Sequence, residues 1–492
     1  MSQDHCNLDS TQIASIVFYL VRTNPSIRIK SLVADIKSRY GYTVTYRRAW
    51  IAKEKAITME YEDWDQSYNE VPRWLLAAQQ TNPGTIFQLS GPPVNIDAED
   101  GSSTYIMERC FWAFGPCIEG FKYCKPVVQV DGTFLTSRYH ATLLTAIAQD
   151  GNRNIFPLAF AIVEGETKEA LIWFFQLLRE HVTPQPNFCL ITDRGKGILS
   201  ALRSEEVDWE SDNLHSVYCI RHLGSNFNNR FKNADLKKQF INLVAWIDKI
   251  PLHKWSQAYD GGRKYTHMTT NLAECMNSVL KGARSLPICA LLKITFQNIN
   301  AWFVERGLKA NSMLRAGHQY PEDVTTLLQQ NQQKYAYCHF QRYDRDNSEF
   351  EVQEISSPHH YRPKPISFTV RLNDWWCDCG HFQASRLPCQ HIIAVCSFGH
   401  MPLSNFIDPV YTLDNIKKAY QVQFHPLRNE DYWSTYTGPN FTPDPQTRRK
   451  ASGRPTTTRI HNEMDQPLTD KPKKCSYCRT EGHHRGQCPF RQ

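Results

Sequence analysis

The sequence predicts an α/β fold, on the evidence of three observations. Apolar stretches of strand type alternate with stretches of helical periodicity between residues 127 and 219. The stretch Val127–Phe134 (VVQVDGTF) places β-branched apolar residues before an aspartate and a glycine, which suits a buried strand with a polar end. Hydrophobic residues make up 41% of the 492 residues, enough for a sizeable core, and the length suggests about three domains.

The distribution of charge and cysteine narrows the functional class. There is no run of about eighteen apolar residues and no secretory signal at the N-terminus, so we expect neither a membrane span nor secretion. The sixteen cysteines are clustered, which favours metal sites in a reducing compartment over disulfides. Residues 446–492 hold 11 Lys and Arg against 4 Asp and Glu, and the rest of the chain holds 45 of each sign. The net charge of +7 therefore lies in this tail, where we expect a polyanionic partner.

The N-terminal segment, residues 1–80, is predicted to be helical, and residues 9–57 contain three short stretches of helical periodicity. The third stretch carries the basic residues Arg47, Arg48 and Lys53. This arrangement fits a helix-turn-helix whose basic helix binds DNA. It fits equally well a small helical bundle with a solvated basic face, and both interpretations stay open.

Residues 104–334 are predicted to form the α/β core, after a polar connection at residues 82–103. Three antiparallel strands, a helix, a strand, a short helix and a strand follow one another at residues 127–134, 139–149, 154–164, 168–182, 188–193, 198–204 and 216–219. This is the order of elements in a ribonuclease-H-like core. A helical insertion is expected at about residues 225–265.

Two aspartates lie at strand ends in this core, Asp131 on the first strand and Asp193 on the fourth. In a sheet of this order the two strands are neighbours, so the two carboxylates can share a cation. A third acid, Glu274, lies on the polar side of a predicted helix. Hard divalent cations such as Mg²⁺ take oxygen ligands of this kind and serve in phosphoryl transfer. Alternatively, Asp131 and Asp193 are only turn residues after buried strands.

The helix that carries Glu274 is predicted to span residues 271–283, with Asn271 as its cap. Its predicted apolar face consists of Leu272, Cys275, Val279 and Leu280. Its predicted polar face consists of Glu274, Asn277, Ser278 and Lys281.

Four residues in the region 335–425 have the spacing of a zinc site: Cys377, Cys379, Cys389 and His391. The Cys-x-Cys and Cys-x-His pairs each place two ligands on one short segment. Three thiolates and one imidazole make a closed tetrahedral zinc site, which is structural rather than catalytic. Cys396 lies nearby and is expected to be buried rather than to bind the metal.

A second zinc site is predicted at residues 475–490, with the spacing of a CCHC zinc knuckle: Cys475, Cys478, His483 and Cys488. Zinc would fold this segment, since it has almost no apolar core. The module fits the binding of single-stranded nucleic acid or, alternatively, of protein. The basic segment 435–474 before it is predicted to be a flexible linker, in which Arg454 fits the minor groove of DNA.

Taken together, these motifs resemble those of the plant Mutator-like element transposases and of their domesticated relatives, the far-red-impaired-response type of transcription factor. The residues that carry the resemblance are Val130–Phe134, Ile191–Arg194, Cys219–His222, Asn271–Asn277, the SWIM-type finger at 377–391 and the terminal knuckle. The resemblance covers most of the chain. The family's Cys-x2-His motif is present at Cys219 and His222, as a possible accessory metal site whose role stays open.

The resemblance implies a ribonuclease-H-like (DDE) catalytic domain whose acids are Asp131, Asp193 and Glu274, with Mg²⁺ or Mn²⁺ as cofactor. It implies a nuclear enzyme that cleaves and joins DNA at the terminal repeats of an element, and we expect a homo-oligomer. Members usually carry a zinc-binding module before the helical segment, which we expect to be missing here. The alternative is a domesticated, non-catalytic DNA-binding regulator. A third possibility is a nucleic-acid-binding protein whose knuckle prefers single strands or RNA.

Overall fold

The computed structural model describes residues 9–23, 27–41, 43–61, 63–95, 103–185, 187–207, 215–230, 249–257, 260–344, 348–355 and 364–449. The chain divides into two compact units, residues 1–448 and 449–492, and the described elements all lie in the first. The predicted zinc knuckle, Arg454 and residues 231–248 of the predicted insertion lie outside the described residues.

The described strands, numbered in chain order, belong to three sheets. They are β1 (Ile86–Ser90), β2 (Pro93–Asn95), β3 (Thr104–Ile106), β4 (Arg109–Ala113), β5 (Val127–Phe134), β6 (Thr142–Gln149), β7 (Ile155–Val163), β8 (Cys189–Thr192), β9 (His215–Tyr218), β10 (Cys338–Asp344), β11 (Glu349–Glu354), β12 (Ile366–Arg371), β13 (Trp376–Cys377) and β14 (Asn440–Thr442).

The described α-helices are numbered in the same way. They are α1 (Ser10–Thr23), α2 (Ile29–Tyr40), α3 (Tyr46–Tyr61), α4 (Gln66–Thr81), α5 (Gly115–Phe121), α6 (Lys168–Leu177), α7 (Lys196–Leu202), α8 (Ile220–Arg230), α9 (Leu252–Trp255), α10 (Asn271–Val279), α11 (Ile288–Arg315), α12 (Glu322–Lys334), α13 (His381–Ser385), α14 (Gln390–Phe398) and α15 (Leu413–Ala419). Among these helices, none combines the length and the apolar character that a membrane crossing requires.

A seven-stranded mixed sheet forms the centre of the fold, with the strand order β1-β4-β7-β6-β5-β8-β9. The β5–β8 and β8–β9 pairs are parallel, and the other pairs are antiparallel. The parallel pairing of β5 with β8 confirms that the first and fourth core strands are neighbours. All residues of β6 are buried, which indicates that both faces of the sheet are covered.

Helices cover the sheet with the apolar faces that their periodicity predicts. In α6 and the π-helical turn that continues it, the predicted apolar residues Leu171, Phe174, Phe175 and Leu178 are fully buried. The long helix α11 packs against α4 and α15 and belongs to the same core. The helices α5 and α15 lie so close together that a β-carbon at Gly120 of α5 would overlap the carbonyl oxygen of Ala419 of α15. Glycine at position 120 permits this approach.

Smaller cores accompany the central one, and two of them lie in the N-terminal helices and the strand-rich segment. The helices α1, α2 and α3 form the first, around residues such as Ile13, Val17 and Leu32. The sheet β10-β11-β12-β13 and the helices α13 and α14 form the second. The three helices and the strand-rich segment were both predicted from the sequence, although the structure leaves open what the basic helix α3 binds.

The structure differs from the prediction in two connecting segments. Residues 82–103, predicted as a polar connection, contain β1 and β2. Residues 440–442, inside the predicted flexible linker, form β14, which pairs in parallel with β3. The reason is Phe441, an isolated aromatic residue in a polar segment, which is buried beside Tyr105 with ring centroids 6.2 Å apart.

Candidate metal centres

Asp131 lies in β5, directly after the four buried residues Val127–Val130. It is half-buried, it pairs with Thr145 of β6, and its backbone carbonyl accepts a hydrogen bond from the Thr145 hydroxyl. The backbone pairing on this side holds Asp131 rigidly at the edge of the core. Such an acid keeps its position whether or not a ligand is present.

Asp193 follows β8 directly and is also half-buried. Its Oδ1 accepts a 2.8 Å hydrogen bond from the Gly195 amide, a local turn that leads into α7. Asp131 lies inside β5 rather than at its end as predicted, because β5 continues to Phe134 along β6. Gln129 pairs with Ile191, so Asp131 and Asp193, each two residues further on, lie level with one another where β8 ends, which we call the acidic edge. Burial raises the pKa of Asp131; the charge of His222 opposes that rise and the charge of Asp193 adds to it. The two acids are therefore close enough to interact.

Glu274 lies on α10 and its carboxylate forms an ion pair with the guanidinium of Arg221 on α8. Within the described part of the chain, Asp131, Asp193 and Glu274 do not form a group whose ligand atoms all lie within 4.8 Å of one another. The fold thus brings two acids of the predicted triad together and gives the third a guanidinium partner.

The helix α10 buries only part of the face that we predicted, namely Leu280 and, partly, Leu272. Its buried residues are Ala273, Met276 and Asn277 together with Leu280 at its C-terminal cap, whereas Cys275 and Val279 are exposed. Two polar contacts with β5 fix the rotation of the helix: the Leu272 amide donates to Gln129 Oε1 at 2.9 Å, and Asn277 Nδ2 donates to Asp131 Oδ2 at 3.1 Å. The prediction was wrong for Cys275, Val279 and Asn277, because these contacts join residues more than 140 positions apart, which helical periodicity does not reveal.

Cys219 and His222 lie beside the two aspartates. Cys219 follows β9 and is buried, and its sulfur accepts hydrogen bonds from the amide and hydroxyl of Thr270. Burial alone would raise the pKa of Cys219, but hydrogen bonds from His222 and Thr270 outweigh it and lower the pKa to about 7. The Cys219 hydrogen bond, with the charges of Cys219, Asp131 and Asp193, raises the pKa of His222. These surroundings thus favour the protonated form of His222 beside the two aspartates.

Sequence reasoning missed one acid at this edge, Glu166, in the connection between β7 and α6. Its carboxylate oxygen Oε1 occupies the space in which a β-carbon of residue 132 would stand, so Gly132 gives it room. Partial removal of its carboxylate from water raises the pKa of Glu166, the charges of Asp193 and Asp131 raise it further, and His222 opposes the rise. Its place after a buried core strand, like that of Asp193, was the signal available in the sequence.

The four predicted zinc ligands of the strand-rich region converge. The ligand atoms of Cys377, Cys379, Cys389 and His391 all lie within 4.8 Å of one another, and His391 is fully buried. His391 Nδ1 lies 3.4 Å from Cys377 Sγ and 3.9 Å from Cys389 Sγ, so Nδ1 is the nitrogen that faces the thiols. Three sulfurs and one nitrogen converging in a buried site fit a closed tetrahedral zinc ion. Cys396 is buried and outside this group, as predicted.

Neighbouring residues fix the positions of these ligands. The Gln383 side chain bonds both the amide and the carbonyl of Cys377, at 3.1 and 2.9 Å. The ring of Phe368 stacks on His391 with centroids 4.1 Å apart. Glu354 Oε2 lies 3.7 Å from His391 Nε2, the nitrogen that points away from the thiols. A carboxylate on this side of the ring is typical of histidines that bind a metal.

The basic residues of α3 differ in their surroundings. Arg47 is exposed, as are its neighbours Tyr46 and Trp50. Lys53 instead donates a 3.1 Å hydrogen bond to the carbonyl of Ile27, and burial lowers the pKa of Lys53. Only part of the predicted basic face is therefore directed to solvent.

Two segments of the chain match known families. Residues 127–226 match the MULE transposase domain, and residues 368–399 match the SWIM zinc finger. The first match includes Asp131, Glu166 and Asp193 but ends before Glu274, and the second includes all four converging zinc ligands. A search of the curated proteins found no match.

Proposed function

We propose that this protein is a Mutator-like DNA transposase, a metal-dependent nuclease and strand-transferase whose catalytic sheet is ribonuclease-H-like. The observation that carries the proposal is the parallel pairing of β5 with β8, which sets Asp131 and Asp193 at one sheet edge inside the MULE-matching segment. The SWIM-matching segment in the same chain supports contact with DNA.

The residues at this edge fit a hard divalent cation. Asp131 and Asp193 offer carboxylate oxygens, and Asn277 Oδ1 is a buried amide oxygen without a hydrogen-bond partner among the described residues. When bound, Mg²⁺ or Mn²⁺ would activate a water or a 3′-hydroxyl and stabilise the leaving oxygen of the phosphodiester. Glu274 would serve as the third acid after leaving Arg221, with which it pairs in the free protein.

The other residues at the edge have supporting roles in this proposal. Asn277 holds one oxygen of Asp131 in place through its amide hydrogen bond. Arg221 holds the Glu274 carboxylate through their ion pair. His222 supplies positive charge that partly offsets the repulsion between the carboxylates.

Zinc and DNA binding complete the proposal. Cys377, Cys379, Cys389 and His391 would hold a structural zinc ion, which supplies folding energy rather than chemistry. The exposed basic residue Arg47, the minor-groove candidate Arg454 and the predicted knuckle would bind DNA, with single strands as a further ligand of the knuckle. We also propose a nuclear location and a homo-oligomeric transposase.

The proposal is tested with DNA that carries the terminal inverted repeats flanking the coding sequence. Asp131→Asn and Asp193→Asn should each reduce Mg²⁺-dependent nicking by about a hundredfold or more, because each removes a negative ligand at unchanged size. DNA binding by electrophoretic mobility shift should stay intact. Glu119→Gln, an exposed acid on α5, is the matched control and should nick like the wild type. Equal nicking by the two Asn variants and the wild type would exclude this catalytic assignment.

A second function is favoured by one observation, the ion pair between Glu274 and Arg221. If that pair persists on DNA, the triad stays incomplete, and the protein is a domesticated, non-catalytic regulator that binds DNA. The same assay separates the two functions, since such a regulator binds the repeats but nicks them in neither Mg²⁺ nor Mn²⁺.

A further inference from the structure

Glu166 reaches the acidic edge from a different direction than Asp131, Asp193 or Glu274. It lies in the short connection between β7 and α6, two residues before the first turn of the helix. Two glycines, Gly132 and Gly197, leave room for Glu166 because they have no β-carbon. A β-carbon at Gly132 would overlap its Oε1, and a β-carbon at Gly197 would stand 2.5 Å from its backbone carbonyl oxygen. These glycines follow Asp131 and Asp193 by one and four residues, so the space for Glu166 is built beside both acids.

More negative than positive charge surrounds Glu166. Within the described part of the chain, Glu166 forms no ion pair, whereas Glu274 is paired with Arg221. The charges of Asp193 and Asp131 both act on Glu166, and His222 is the cationic group that opposes them. Three carboxylates around one imidazole leave a negative potential, which a divalent cation would neutralise.

An independent observation points to a cation at the same place. Asn277 is 8% exposed, and its Nδ2 donates to Asp131 Oδ2. Its Oδ1 is buried and has no hydrogen-bond partner among the described residues. Leaving such an oxygen unsatisfied costs about 1–3 kcal/mol. A hard cation accepts amide oxygens as well as carboxylates, so one ion beside Asp131 would satisfy Asn277 and the acids together.

We propose that Glu166 is a further acidic ligand of the cation that Asp131 and Asp193 hold, and that it acts while Glu274 is paired with Arg221. The inference rests on the proposed function, because it assumes a divalent cation at this edge. Glu166 is an exposed residue, so a cation from solvent can reach its carboxylate. Its carboxylate would retain the ion before the substrate and Glu274 complete the ligand set.

The inference is tested by Mn²⁺ binding to the full-length, zinc-loaded chain, followed by the loss of the free-ion signal in electron paramagnetic resonance. Glu166→Gln should weaken binding by about tenfold or more, a loss of the size seen when groups around a metal are removed. Gly132→Ala should weaken it in the same direction, because the new methyl group displaces the Glu166 carboxylate and changes no acid. Glu169→Gln, an exposed acid three residues further on, is the matched control and should bind like the wild type.

Asp131→Asn, measured in parallel, separates the role of Glu166 from the existence of a metal site at Asp131 and Asp193. If it abolishes binding while Glu166→Gln binds like the wild type, the role of Glu166 is excluded and the two-aspartate site stands. If Asp131→Asn also binds like the wild type, both the inference and the proposed catalytic site are excluded. Circular dichroism and zinc content establish that each variant is folded.

Discussion

Asn277 on α10 donates a 3.1 Å hydrogen bond to Asp131 on β5, across 146 residues of sequence. This contact joins the helix that carries Glu274 to the strand that carries the first acid. It also positions a neutral amide where a carboxylate would be repelled, which makes position 277 sensitive to charge.

The first prediction concerns Asn277→Asp. The variant places a second carboxylate beside Asp131, and the repulsion should destabilise the fold by about 1–3 kcal/mol. Because a divalent cation relieves that repulsion, Mn²⁺ should raise the melting temperature of the variant more than that of the wild type. Thermal unfolding with and without Mn²⁺ measures the difference. Asn277→Ala, which loses the hydrogen bond without adding charge, should show no such gain; an equal response of both variants would contradict the prediction.

The second prediction concerns the zinc site of the strand-rich region. Cys377→Ser should lower the zinc content by one ion per chain and destabilise the region, because its small core depends on the metal. Atomic absorption measures the zinc, and proteolysis between residues 335 and 399 measures the local stability. Cys396→Ala, a buried cysteine outside the ligand group, should keep the full zinc content. Loss of zinc in both variants would mean that the ligand set is wrong.

The third prediction separates Arg47 from Lys53 on the basic helix. Arg47→Ala should weaken duplex DNA binding and lower the slope of log affinity against log salt by about one, since an exposed phosphate contact is lost. Lys53→Ala should chiefly lower the melting temperature, because Lys53 bonds the Ile27 carbonyl. Fluorescence anisotropy over a range of salt concentrations measures the first effect. Identical salt slopes for Arg47→Ala and the wild type would remove α3 from the DNA interface.

The fourth prediction is a pH dependence that originates at His267. Burial, with the charges of Lys125 and Arg153, lowers the pKa of His267 to about 3, and its Nε2 lies 3.0 Å from Gln149 Oε1. Below a pH of about 6.5, the ordinary pKa of histidine, the unfolded chain therefore binds a proton at residue 267. The folded chain does not bind this proton until the pH is far lower. Stability should fall as the pH drops from about 6.5 towards 3, by on the order of 1 kcal/mol per pH unit.

Urea unfolding at several pH values checks the assignment. His267→Gln removes the titrating group while retaining an amide donor for Gln149, so its acid sensitivity should be smaller than that of the wild type. His318→Gln, at an exposed histidine, is the control. If His267→Gln loses stability in acid as steeply as the wild type, the effect arises elsewhere.

Local patterns predicted much of what the structure contains. The zinc ligands Cys377, Cys379, Cys389 and His391 were identified from spacing alone, because short Cys-x-Cys and Cys-x-His segments restrict where their side chains can meet. The strand that carries Asp131 and the buried face of α6 followed from apolar periodicity. The adjacent position of β5 and β8 in the sheet followed from the order of the elements.

Contacts between distant segments were not predictable in this way. The rotation of α10, the hydrogen bond from Asn277, the ion pair of Glu274 and the burial of Phe441 under β3 each depend on a partner at least a few tens of residues away. The amino-acid sequence by itself determined which chemical groups are available and which local elements carry them. Only the tertiary structure decided which groups meet, because helix rotation and loop position are set by packing against remote residues, to which periodicity is insensitive.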